Sequence, residues 1–233
     1  TVFKKEANML KFTKLFLSFV LSMMLLIAND DLSSNKKAIE ASVKKHEKEL
    51  IKISDAIWHN AELALEEYKS SKILSDYAEK NGFSIERGVA GMPTAFIATY
   101  GSGRPRIGIL GEFDANAGIS QKAQSKKEAL IEGKPGHGCG HNLFGTGSLG
   151  AAIAVKELIE KGKIKGTVVF YGTPAEETIF GKVWFARAGL FNDLDVCVDW
   201  HPGDDMEAAT QSSKALIDFR VKFTGRTAHA SAD

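Results

Sequence analysis

Arg106-Ile107-Gly108-Ile109-Leu110-Gly111, running straight into Glu112-Phe113-Asp114, is the stretch that decides the fold. A short run with so little polar alternation suits a strand buried on both faces rather than one with a wet side. Three similar runs flank it. Thr94-Ala95-Phe96-Ile97-Ala98-Thr99-Tyr100 precedes it and ends at Gly101-Ser102-Gly103. Thr167-Val168-Val169-Phe170-Tyr171 leads into Thr173-Pro174-Ala175-Glu176-Glu177, and Asp195-Val196-Cys197-Val198-Asp199 leads into His201. Between the second and third runs the sequence predicts a long helix, about Leu143 to Lys161, with small residues on its first turns. A shorter helix, about Gly181 to Ala188, separates the third and fourth. Upstream, Ile39, Val43, Leu50, Ile53, Ile57, Leu63 and Leu65 fall at broken helical spacing. They suit two packed helices, N-capped at Ser33-Ser34-Asn35 and ended by Asn81-Gly82. Strands alternating with helices predict an α/β domain of three layers, with a mostly parallel sheet between helices. Ligands of such sheets gather at the carboxyl ends of strands. Glu112 with Asp114, Glu176 with Glu177, and His201 all follow directly on strand runs.

The chain has 233 residues, 44% hydrophobic and 25% charged, enough for one large domain or one domain and part of another. A formal net charge of +1 gives no electrostatic reason to expect nucleic acid or an anionic membrane as partner. The two cysteines form no disulfide framework: Cys139 sits among glycines and reads as a ligand, Cys197 sits in an apolar run and reads as core filling. The chain opens at Thr1, with Met9 the first initiator, and stops at Asp233 just after a strand-like segment; both ends read as those of a fragment. Lys11 and Lys14 precede an apolar run from Leu15 to Ala28. This predicts a leader over residues 1–32 with a signal peptide at 9–28, hence export to the periplasm or medium. The alternatives are an uncleaved anchor, or a misread start and a cytoplasmic protein. Residues 33–212 then form the main domain. Lys214 to Phe223 alternates apolar and polar, which predicts a half-exposed strand opening a second, truncated α+β domain over 213–233.

Gly136-His137-Gly138-Cys139-Gly140-His141-Asn142 carries the chemistry. It sets a thiol and an imidazole two residues apart, a donor pair suited to a borderline-soft divalent ion such as zinc. Amide hydrolysis needs a polarised carbonyl, an activated water and a proton for the leaving nitrogen. A metal supplies the first two, and a carboxylate moves the proton. Of the adjacent Glu176 and Glu177, one can face the metal and the other the water; His201 is a natural further ligand. Asp114 is placed to orient a ligand imidazole, and His137 is a candidate for a similar supporting part. Taken singly, Cys139 and His141 could be turn and helix-start residues, the glutamates a solvated pair, and His201-Pro202 a strand-ending turn. Their joint placement at strand ends favours a metal-dependent hydrolase. His46, in a charged run, reads as solvated, and His59 as a packing or surface residue. Gly145, Gly147 and Gly150 do not match a dinucleotide fingerprint, which excludes a nucleotide cofactor on that ground.

From Ile57 to the last residue the motifs resemble a known family. They include Ile57-Trp58 with Ala61-Glu62-Leu63, Tyr100-Gly101-Ser102-Gly103, Ile109 to Ala115, Gly136 to Asn142, Pro174-Ala175-Glu176-Glu177, Trp200-His201-Pro202, and Gly225 to Ser231. The resemblance is to the zinc-dependent exopeptidases that include carboxypeptidase G, aminoacylase and hippurate hydrolase. Within them it is to the amidohydrolase branch of the plant auxin-conjugate hydrolases and aminobenzoyl-glutamate utilisation protein B. It implies a catalytic domain holding two divalent ions, zinc or manganese, and an inserted lid through which two copies form a homodimer. Carried over by motif, Cys139 would bridge the metals, His141 and His201 would bind one and Glu177 the other, and Glu176 would be the general base and acid. His229 would reach the active site of the partner subunit and stabilise the oxyanion. The implied substrates are N-acyl amino acids, aminobenzoyl conjugates among them, or dipeptides. The alternatives are a metallo-carboxypeptidase or dipeptidase and, from another class, a catalytically silent metal-binding or scaffolding remnant. The family's last metal ligand, a histidine far downstream, has no counterpart before Asp233. Asn116-Ala117 replaces a usual Leu-Pro, and Thr178-Ile179-Phe180 a usual glycine pair.

Overall fold

Gly166–Gly172 is buried at every residue and forms the centre of the sheet. The computed structural model describes residues 32–206 and scattered positions from 208 to 225. In chain order the elements are helix α1 (32–60), α2 (Tyr68–Lys80), β1 (Ser84–Arg87), a short 3-10 turn (Val89–Gly91), β2 (Phe96–Ser102) and β3 (Arg106–Gly111). Then follow α3 (His141–Glu160), β4 (Gly166–Gly172), α4 (Glu176–Ile179), α5 (Gly181–Arg187) and β5 (Val196–Val198). The sheet has five strands in the order β1-β2-β4-β3-β5.

Each of the four apolar strand runs between residues 94 and 199 is found, but the orientations are mixed. β3 pairs parallel with β4 and with β5, whereas β2 runs antiparallel to β4 and β1 antiparallel to β2. Short loops explain part of this: β1 connects to β2, and β2 to β3, without the helix that a parallel crossover needs. The parallel half, β4-β3-β5, is the half that ends in the polar clusters.

Alternate residues of the central strands feed two cores. Phe96, Ala98, Ile109, Val168 and Phe170 pack with Ile53 and Ile57 of α1, Leu74 of α2, and Leu149 and Ile153 of α3. Ile97, Leu110, Val169 and Tyr171 turn to the other face and pack with Met92 and Phe185. This period of two, with helices over both faces, is the three-layer arrangement. Small residues let α3 lie close: a Cβ on Gly145 would sit 2.5 Å from the carbonyl oxygen of Glu112.

Several local expectations are corrected. Ser33 to Asn35 lie inside α1 rather than capping it, and α2 starts at Tyr68, after a turn in which Ala61 and Leu65 take left-handed φ values of 40° and 62°. His46 is not solvated: its ring lies 2.7 Å from the Tyr77 hydroxyl and 3.2 Å from Glu157 Oε1, joining α1, α2 and α3. Cys197 is exposed rather than core filling, because β5 is an edge strand that pairs only with β3 among the described residues. Contacts divide the chain between Pro202 and Gly203. The leader at 9–28 and His229 lie outside the described residues, as does part of the strand expected over 214–223. No helix among the described residues is long and apolar enough to cross a membrane.

Candidate metal centre

The carboxyl ends of β3, β4 and β5 and the first turn of α3 converge on one place. Glu112 and Asp114 follow β3; as residues i and i+2 of an extended segment they share a side. Glu176 and Glu177 open α4 just after β4, and His201 follows β5. Gly140, at φ 78°, turns the chain into α3 so that His141 starts the helix, with its ring fully buried.

The His141 ring is held from one side. Its Nδ1 donates to Asp114, 3.0 Å from Oδ1 and 3.1 Å from the carbonyl oxygen. Both partners are acceptors there, so Nδ1 carries the proton and a neutral ring turns the Nε2 lone pair inward. Nε2 lies 3.0 Å from Glu112 Oε2 and 3.9 Å from Glu177 Oε1. All three atoms are buried, and none has a hydrogen-bond partner among the described residues. Orphaned acceptors facing one another require a positive centre between them. When none is bound, a proton serves. Burial opposes a charge on His141, but Asp114, Cys139 and Glu177 outweigh it and push its pKa up to about 9. Burial, and then Glu177, raises the Glu176 carboxyl above its usual range.

Two donor sets meet here. The donor atoms of Cys139, His141 and His201 lie within 4.8 Å of one another, as do those of Glu112, His141 and Glu176. His201 Nδ1 donates to the Pro202 carbonyl at 2.9 Å, leaving Nε2 3.4 Å from Cys139 Sγ. Thiol, imidazole and carboxylate donors around shared His141 fit divalent ions of the zinc or manganese kind. Asp114 does double service: Oδ2 accepts the Glu177 N–H at 2.9 Å, so one carboxylate fixes both His141 and the backbone at Glu177. Asn116, one of the departures from the family pattern, accepts the Cys139 N–H at 3.2 Å and pairs with Gly136. His137 bonds the Ile57 carbonyl at 3.0 Å rather than a donor side chain, and burial pulls its pKa down to about 4. It ties the Cys139 loop to α1 as a neutral ring.

Three residues here were not singled out as site residues from sequence. Glu112, 2% exposed, faces His141 on one side and pairs with Lys182 on the other. Lys182 also lies over the Phe144 ring, and burial lowers its pKa. Glu67 is fully buried behind Ala175. The shared side of Glu112 and Asp114 was a usable signal for the first; nothing in the local sequence marked the other two.

The fold and this donor set define an α/β domain with a candidate centre for divalent metal ions at the carboxyl ends of its parallel strands. Residues 114–225 match the model of peptidase family M20/M25/M40, and the chain belongs to the M20 family. It is 42% identical over 195 residues to a p-aminobenzoyl-glutamate hydrolase chain of Escherichia coli, across 83% of this chain and 40% of that protein. It is 33% identical over 196 residues to the human Xaa-Arg dipeptidase, across 77% and 41%. Among solved structures it resembles the YXEP protein of Bacillus subtilis, described as a dinuclear metal-binding peptidase. There the TM-score is 0.60 at 25% identity, over 70% of this chain and 44% of that one. The chain thus spans about two fifths of the curated relatives it matches.

Proposed function

We propose that the protein is a metal-dependent amidohydrolase that cleaves the amide bond of N-acyl amino acids, aminobenzoyl conjugates first among them, or of dipeptides. The observation that carries this is the convergence of Glu112 Oε2, His141 Nε2 and Glu177 Oε1, three buried acceptors without partners among the described residues, beside Cys139 and His201. Cys139, His141, Glu177 and His201 would hold two divalent ions, zinc or manganese, with Glu112 within reach of the same place. When bound, the metals polarise the scissile carbonyl and lower the pKa of water.

The chain's own residues do the rest. Asp114 keeps His141 in the tautomer whose Nε2 is free to ligate. Glu176, whose carboxyl is raised above its usual range by burial and then by Glu177, accepts a proton from the attacking water as the oxygen adds to the carbonyl carbon. It returns that proton to nitrogen as the C–N bond breaks, giving a carboxylic acid and an amine, between which the remaining acid proton passes to leave a carboxylate and an ammonium group. Similarity to an aminobenzoyl-glutamate hydrolase at 42% identity, against 33% for a dipeptidase, supports placing acyl conjugates first. His229 is assigned the oxyanion in a homodimer. The Escherichia coli relative is named as one subunit of its hydrolase, so the native mass of the full-length protein, alone and from its source, decides between a homodimer and a mixed assembly. Export by the 9–28 leader is tested by fractionating cells.

The deciding experiment assays the full-length protein with zinc or manganese on aminobenzoyl-glutamate, hippurate and a dipeptide panel, alongside metal analysis. Stoichiometric metal and hydrolysis that drops at least a hundredfold in Glu176→Gln are expected, in line with loss of a general base of about 10²–10⁴. Substoichiometric metal, together with full activity in that variant, overturns the assignment.

A further inference from the structure

The geometry points to Glu67 as the residue that positions Glu176, a role that rests on Glu176 being the base. Glu67 ends the turn before α2 and is fully buried, yet none of the described lysines or arginines forms an ion pair with it. Its two oxygens are both used. Oε2 accepts from the Thr94 hydroxyl at 2.8 Å, and Oε1 accepts from the backbone N–H of Ala175 at 2.9 Å.

Ala175 is the residue that needs such a partner. It stands directly before Glu176, is itself fully buried, and takes a left-handed φ of 60°, which a side-chain-bearing residue adopts only when held there. Pro174 before it has no N–H, so the Ala175 N–H is the first donor of the turn. The Ala175 carbonyl is fastened from the other side by the N–H groups of Ile179 at 3.2 Å and Gly181 at 3.4 Å. Only glycine fits at position 181, where a Cβ would run into the Pro174 carbonyl oxygen. Ala175, the residue that sets the direction of Glu176, is therefore clamped at its N–H by Glu67 and at its C=O by the N–H groups of Ile179 and Gly181. Glu67 reaches no donor atom of the metal centre in this arrangement. Together with Asp114, which accepts the Glu177 N–H, it divides the work: Glu67 fixes the backbone at Ala175, directly before Glu176, and Asp114 fixes the backbone at Glu177.

The test compares Glu67→Met and Glu67→Gln in the full-length, metal-loaded protein. Methionine keeps the length and removes the acceptor. Glutamine keeps a carbonyl oxygen for Ala175 and offers its amide to Thr94. The expected result for Glu67→Met is a fall in kcat of about a hundredfold, the cost of an ångström-scale misplacement of a reacting group. KM and bound metal per chain stay at wild-type levels, and Glu67→Gln recovers kcat to within a few-fold. In a Glu176→Gln background, Glu67→Met costs nothing further, because the residue it positions is already gone. Thr94→Val, a milder change that removes the second anchor of Glu67, lowers kcat in the same direction by less, and serves if the methionine variant does not fold. Equal loss in kcat and metal content, a glutamine variant as damaged as the methionine one, or additive losses in the Glu176→Gln background each overturn the role. A wild-type protein inactive on every substrate, with metal bound, would instead count against the proposed function and leave the Ala175 clamp to be read from a structure of Glu67→Met.

Discussion

At the scale of single residues, the unusual feature is how many carboxylates the molecule buries and what each is bonded to. Glu112 and Asp114 are 2% and 1% exposed, and Glu67 is fully buried. Burial pushes the Glu67 pKa up from 4.5 to about 7, more than its hydrogen bonds pull it down. Because the folded pKa lies above the unfolded one, the favourable contribution is fully present below about pH 4.5 and is lost as pH rises through about 7. The gap corresponds to roughly 3 kcal/mol of pH-dependent stability. Glu67→Gln cannot ionise and escapes that loss, so its melting temperature should gain on the wild type steadily between about pH 5 and pH 8. Parallel melting curves across that window would show that Glu67 ionises no differently folded than unfolded. The grouping of Cys139, His141 and His201, whose candidate donor atoms the structure brings within 4.8 Å of one another, was expected from the sequence because metal chemistry asks for particular side chains at particular spacings. Glu67 was not: Glu66-Glu67-Tyr68-Lys69 reads as a solvated charged run, and only the return of β4 past α2 brings Ala175 onto it.

At the scale of elements, apolar runs gave four strands and their order along the chain, but not their directions. A buried run carries no mark of parallel or antiparallel pairing, so the antiparallel half of the sheet could not be read from composition. β1, Ser84–Arg87, was missed altogether: a short, mostly exposed edge strand has too few apolar residues to signal itself. The structure separates the glycines of α3 by what a side chain at each would meet. A Cβ on Gly145 would lie 2.5 Å from the Glu112 carbonyl oxygen, which is backbone and cannot step aside; one on Gly150 would lie 2.9 Å from Leu50 Cδ1, a flexible tip. Replacing glycine by alanine inside a helix gains about 1 kcal/mol, while overpacking costs about 1–3 kcal/mol. Gly145→Ala should therefore lower the melting temperature by a few degrees and weaken metal binding, because α3 carries His141 away from Glu112. Gly150→Ala should leave both unchanged or slightly improved. Thermal melts and metal titrations of the two variants side by side check this, and equal effects would mean that helix propensity, not the α3–β3 contact, governs the site.

At the scale of the molecule, charge is balanced and yet locally uneven. Thirty basic residues face twenty-nine acidic ones over the chain, but four carboxylates (Glu112, Asp114, Glu176 and Glu177) meet at the ends of the parallel strands. Near them stand His141 and Lys182, the latter disfavoured as a cation by its own burial. A fold that gathers like charges at the end of its sheet is held together there by what it binds. A ligand present at a thousand times its dissociation constant adds about 4 kcal/mol to stability. For chains of this size each kcal/mol is worth about 2–4 °C. Stripping the full-length protein with a chelator should accordingly lower its melting temperature by several degrees, less per kcal/mol than for 233 residues because a longer chain unfolds with more entropy. Adding back zinc or manganese should restore it, and magnesium should not, since it disfavours thiolate and imidazole donors. The restoration should vanish in Cys139→Ala and persist in Glu176→Gln, since one removes a donor and the other a proton carrier. Coincident melts with and without chelator would mean that the buried acceptors around His141 are satisfied by protons alone.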